Sequence, residues 1–77
     1  MRFIHMNPIR HIRCEIFRVT QDEFAEILET SQATISRWEA GITNPSLRHL
    51  RRLRAEAIQR KLKWDDQLLF SAGGRAA

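Results

Sequence analysis

The sequence predicts an all-α fold of four to five short helices. Two observations predict it: apolar residues recur at spacings of three and four, and a good N-cap stands ahead of each such run. Asn7-Pro8 opens the first helix, because Asn caps free amides and Pro fits the first helical position. Ile9, Ile12 and Ile16 form its stripe from Pro8 to Phe17, and Arg18-Val19 is a short link. Thr20 to Glu23 reads as a capping box, with Val19 and Phe24 placed for a hydrophobic staple. The second helix is expected from Gln21 to Leu28, its face of Phe24, Ala25, Ile27 and Leu28 opposite Asp22, Glu23 and Glu26. Glu29-Thr30 leads to Ser31, the cap of a third helix from Gln32 to about Ala40, closed by a left-handed Gly41. Ile42 to Pro45 is a turn. Ser46 caps a longer fourth helix marked by Leu47, Leu50, Leu53, Ala57, Ile58 and Leu62, expected to end near Lys63. Asp65 caps a last short helix through Leu68, Leu69 and Phe70, and Ser71 to Ala77 holds no residue expected in the core.

Seventy-seven residues suit one core, a modest one that a second copy would help to stabilise. At 43% hydrophobic and 29% charged, the composition is that of a folded domain. The net charge is +4, and the basic residues lie outside Val19–Ser36, which carries Asp22, Glu23, Glu26 and Glu29. That asymmetry suits nucleic acid or an anionic surface, and equally a solvated face. Cys14 stands alone, so neither an intrachain disulfide nor a Cys-x-x-Cys zinc pattern is available, which fits a reducing cytoplasm. No signal peptide and no membrane partner are expected.

The third helix carries the informative surface. At about 100° per residue, Ile35 and Trp38 fall on one side and Gln32, Ala33, Ser36 and Arg37 on the other. A hydrated face usually bears long charged residues, whereas this one bears a Gln, two small residues and an Arg. Gln can bond adenine N6/N7 through two atoms, Arg can do so with guanine O6/N7, and Ala33 can touch a thymine methyl. Taken alone, the ridge fits major-groove readout and a merely hydrated face about equally.

Thr20 through Gly41, ending Ser-Arg-Trp-Glu-Ala-Gly and followed by Asn44-Pro45-Ser46, resembles the lambda-repressor-like (Cro/C1, XRE-type) helix-turn-helix family. The likeness runs from about Ile9 to Ala57 and covers caps, apolar positions and the Asn-Pro-Ser turn. It implies that the third helix enters the major groove with Gln32, Ala33 and Arg37 at base edges; Ser36 shares their arc. It also implies a phosphate contact at Gln21 and a structural pair of Glu39 with an arginine on the first helix, for which Arg13 is the candidate. Thr43, Asn44 and Arg48 are the further phosphate-binding candidates. Three positions depart from the family pattern. Glu29 stands where Gly is usual, at about 1 kcal/mol or more if the backbone there is left-handed. Ala40 replaces an Asn, and Arg51 and Arg54 replace apolar residues.

The implied organisation is an N-terminal arm (1–6), a helix-turn-helix domain (7–63) and a C-terminal apolar segment and tail (64–77). Trp64, Leu68, Leu69 and Phe70 suggest a dimer contact, or equally packing back onto the first helix. Arg2 ahead of the first helix suits a frayed terminus or short strand better than a minor-groove arm. His5, His11 and His49 lack metal-ligand spacing and read as surface histidines, Cys14 as packing, and no serine has a base in a local motif. No metal, cofactor or catalytic activity is expected. The expected function is a cytoplasmic, nucleoid-associated DNA-binding transcriptional regulator, a repressor acting as a homodimer on an inverted repeat. The alternative is an antitoxin-like module that binds a protein partner and DNA secondarily.

Overall fold

Asn7 starts the first helix as its sequence predicts, its Oδ1 accepting from the amides of Ile9 (2.8 Å) and Arg10 (3.3 Å). The computed structural model describes residues 7–72, and five α-helices and one π-helical segment occur among them. They are α1 (Pro8–His11), π1 (Ile12–Phe17), α2 (Gln21–Leu28), α3 (Gln32–Glu39), α4 (Leu47–Gln59) and α5 (Gln67–Ala72).

The wider winding of π1 changes which residues reach the core. The buried set is Ile9, Ile12 and Phe17, while Ile16 is only half-buried. Residues five apart share a face when hydrogen bonds run from i to i−5, so Phe17 takes the place expected for Ile16. Its ring meets Phe24 edge-on at 5.4 Å. Phe24, Ala25 and Leu28 of α2, Ile35 and Trp38 of α3, and Leu50, Leu53 and Ala57 of α4 complete the core with Ala72.

Three helices end alike. After α2, α3 and α4, the residues Glu29, Gly41 and Lys61 take left-handed backbones. Their amides, and those of the next residues, turn back onto the last carbonyls: Thr30 to Ala25 (2.9 Å), Ile42 to Arg37 (3.0 Å), Leu62 to Ala57 (2.9 Å). These are Schellman closures, which satisfy carbonyls that the helix leaves open. Helix α4 therefore stops at Gln59 and not near Lys63, because Lys61 reverses the chain and swings Leu62 back against the core. Leu47 and Ile58, expected on the apolar face of that helix, are 63% and 50% exposed.

At Glu29 the strain is tolerated, with φ at 57° in a residue that has a Cβ. Arg52 braces this turn, its Nε donating to the carbonyl of Ile27 (2.8 Å) and its Nη2 lying 3.5 Å from Glu29 Oε2. Glu29→Gly should relieve about 1–2 kcal/mol of strain against about 0.4–1 kcal/mol of added unfolded-chain entropy. The exposed pair with Arg52 contributes little. Thermal unfolding should show a net gain of roughly 0.5–1 kcal/mol; a lower Tm would mean that the Glu29 side chain stabilises the turn more than its conformation costs.

The C-terminal segment is part of the same body. Asp65 Oδ1 accepts from the Gln67 amide at 2.9 Å, and α5 packs on α1 and α4. Leu62, Trp64, Leu68 and Leu69 lie half-buried on the core and Ala72 is 4% exposed. The tail expected from Ser71 is thus corrected, since α5 carries Ala72 inward; residues 73–77 and the arm 1–6 lie outside the described residues. The apolar surplus assigned to a dimer contact is mostly absorbed within the monomer. Phe70 alone of that set stays open, at 77% exposure. Arg54, on the apolar arc of α4, reaches the carboxylate of Asp66 (2.8 Å).

Candidate nucleic-acid interface

Helix α3 is short and its orientation is fixed from behind. Ser31 caps it, Oγ accepting from the Thr34 amide at 3.1 Å. Ile35 (0% exposed) and Trp38 (4%) root it in the core. By the geometry of the helix, the opposite arc then faces solvent, and Gln32, Ala33, Ser36 and Arg37 are all exposed there. Ile42, Thr43 and Asn44 in the following turn, and Arg48 in the first turn of α4, are exposed as well.

The far end of α3 is tied down by three polar groups from elsewhere in the chain. Asn7 Nδ2 donates to the carbonyl of Trp38 (3.0 Å), so this one side chain caps α1 and also holds α3. Arg13 grips Glu39 through two nitrogens, Nε to Oε2 and Nη2 to Oε1 (3.1 Å), and its Nη1 donates to Val19 O (3.0 Å). The side chains are 13% and 7% exposed. Burial by itself would push the Glu39 carboxyl up, but hydrogen bonds from Arg13 and Gln21 and the charges of Arg13 and Arg10 outweigh it. The group is held below the usual carboxylate range.

Gln21, assigned by its sequence position to a phosphate, is half-buried and its amide is engaged on both sides. Its Nε2 donates to Glu39 Oε1 (2.9 Å), and its Oε1 accepts a short hydrogen bond from Gln32 Nε2 (2.5 Å). A continuous chain therefore runs from Arg13 through Glu39 and Gln21 to Gln32 on the exposed ridge. The ends of this chain are legible in the sequence, but their connection is not.

Two further residues were not recognised from sequence. His49 is no plain surface histidine: it is half-buried, its ring edge-on to Trp38 at 5.0 Å and its Nδ1 2.8 Å from Ser46 Oγ. Burial, and next the charge of Arg48, lower its pKa. Its spacing of four from the buried Leu53 was the available signal. Arg52, expected only to meet Glu56 (3.3 Å), also braces the turn between α2 and α3.

The cations divide into two groups. Arg13 pairs with Glu39, Arg52 with Glu29 and Glu56, Arg54 with Asp66 and Arg60 with Glu56. Among the described residues, Arg37, Arg48 and Arg51 form no ion pair and are exposed, as are Arg10, Arg18, Lys61 and Lys63. Their charge is open to an anion without first breaking an internal pair. An exposed ridge of Gln, Ala, Ser and Arg, with unpaired guanidinium groups on the same chain, matches the hydrogen-bonding edges and phosphates of a duplex. The Trp64 to Phe70 set lies on α5 and the turn before it, apart from this ridge in sequence.

A helix-turn-helix family model matches residues 9–63. No curated protein matches the chain, and no solved structure does.

Proposed function

Because the chain belongs to the Cro/C1-type, XRE helix-turn-helix family, a family of DNA-binding regulators, we propose that it is a repressor that binds an inverted repeat as a homodimer. The observation that carries this reading is the arc of Gln32, Ala33, Ser36 and Arg37, exposed on a short helix whose other side is buried. Helix α3 lies in the major groove. Gln32 bonds adenine N6/N7, Arg37 bonds guanine O6/N7, Ala33 touches a thymine methyl and Ser36 bonds an adjoining base edge. Gln21, Thr43, Asn44 and Arg48 hold phosphates and set the register. The second N–H of Gln21 Nε2 remains for that role.

Dimerisation places two copies of α3 about one helical turn apart. Two exposed apolar side chains, Ile58 and Phe70, and a groove lined by Ile58, Leu62 and Trp64 together with the charged Arg54, Asp65 and Asp66, support a self-contact at the α4–α5 end. Occupancy of the repeat blocks polymerase. No helix among the described residues is long and apolar enough to cross a membrane, and the protein acts at the chromosome in the cytoplasm.

Selection of bound sequences from a random duplex pool tests the proposal. The expected result is a symmetric consensus, with affinity falling steeply as salt rises. Arg37→Ala should relax preference at one base position in each half-site by roughly tenfold. Arg48→Ala should weaken all duplexes evenly and reduce the salt slope by about 1 per half-site. A pool that yields no consensus, even at low salt, would overturn sequence-specific readout.

A further inference from the structure

We infer that Glu39, lying off the ridge, acts through Gln21 as a positioning residue that sets which hydrogen-bonding face Gln32 offers to a base. The inference rests on the reading of Gln32 as a base contact. It follows from the direction of the chain Glu39–Gln21–Gln32.

An ionised carboxylate only accepts hydrogen bonds, whereas a glutamine amide has a donating nitrogen and an accepting oxygen. Arg13 and Gln21 keep the Glu39 carboxyl below the usual range despite its burial, so it is ionised at neutral pH. Gln21 must therefore turn its nitrogen toward Glu39, as seen at 2.9 Å. Its oxygen is then left for Gln32, which must turn its own nitrogen inward, as in the short Nε2–Oε1 contact. One N–H of Gln32 is occupied. What remains is one N–H and the carbonyl oxygen, the single donor and single acceptor that adenine N7 and N6–H complement.

If position 39 could donate, the polarity of the whole chain could reverse. Gln32 would then turn its oxygen inward and keep both N–H groups free. Two donors suit the N7 and O6 acceptors of guanine as well as they suit adenine N7. The carboxylate at residue 39 thus excludes a guanine-tolerant form of Gln32. Arg13, itself held by the carbonyl of Val19, fixes the position of that carboxylate, but the direction of the amides depends on its being an acceptor.

The test compares full-chain variants on the duplex chosen by the wild type and on the same duplex with the Gln32-facing adenine pair replaced by a guanine pair. Measurements are made at a temperature where circular dichroism shows every variant folded. The wild type should prefer the adenine duplex by roughly tenfold or more. Glu39→Gln, which can donate, should bring the ratio within about twofold. Arg13→Met/Glu39→Gln removes the unpaired guanidinium, and should show the same relaxed ratio in a better-paired background. Arg13→Lys keeps the carboxylate and should keep the full ratio, although it loses stability. A purely structural role for Glu39 would lower affinity for both duplexes and leave the ratio intact. Full discrimination in both Glu39→Gln variants, with loss in Gln32→Ala, would overturn the positioning role while leaving Gln32 as the reader. Unchanged discrimination in Gln32→Ala would remove Gln32 from readout and the inference with it.

Discussion

Phe24→Ala is expected to remove about 4 kcal/mol of folding free energy. Phe24 is fully buried at the start of α2, against the edge of Phe17, where the first and second helical segments meet. Truncation there loses the transfer energy of the ring and leaves a cavity lined by residues from several helices, which cannot all close on it. A domain of 77 residues holds roughly 4–11 kcal/mol in total. The variant should therefore be partly unfolded near 37 °C, and duplex binding should fall with the folded fraction although no ridge residue has changed. Urea unfolding followed by circular dichroism would measure the loss, and saturating operator duplex should restore part of it by mass action. A loss below about 1.5 kcal/mol would show that Phe24 is not the anchor its burial makes it.

Arg13→Ala is the second large effect, expected at about 3 kcal/mol, or a fall in Tm of roughly 15 °C. Glu39 is 7% exposed, and removing Arg13 leaves a desolvated carboxylate with only the Gln21 amide as a close partner. The pH dependence should change sign. In the wild type the folded carboxyl titrates below its unfolded value of about 4.3, so the pair contributes stability above that pH and loses it as pH falls through the lower folded value. In the variant the hydrogen bond and charge of Arg13 are gone, and burial, the largest single influence on this group, is expected to outweigh what remains of the Gln21 hydrogen bond and the Arg10 charge and to push the carboxyl up. A raised carboxyl binds protons more readily folded than unfolded, so stability should rise as pH falls from about 7 toward 4.3. A variant whose stability stays level or falls between pH 7 and about 4.3 would mean that Glu39 is not left uncompensated. Unchanged stability at neutral pH would assign the pair no structural role.

Much of this architecture is written locally. Asn7, the Thr20–Glu23 box, Ser31 and Ser46 each stand at a helix start, where the structure has their oxygens accepting amides. Gly41 is left-handed as expected, and the phase of α3 puts Ile35 and Trp38 inside. Such signals act within one or two turns of chain, so a single sequence suffices to read them. The winding of π1, the early end of α4 and the inward packing of α5 were not legible. Each is decided by which residue a distant helix leaves room for: Phe17 against Phe24, Leu62 against the core, Ala72 within it.

The same division runs through the candidate site. Composition and spacing alone were enough to mark Gln32, Ala33, Ser36 and Arg37 as one face of one helix. Only the tertiary structure brought Gln21 between Glu39 and Gln32, laid His49 against Trp38 and set Arg52 on the carbonyl of Ile27. Periodicity records which way a side chain points. Whether a polar group meets a donor or an acceptor there depends on residues brought close by folding, and the direction of a hydrogen bond has no signature in spacing.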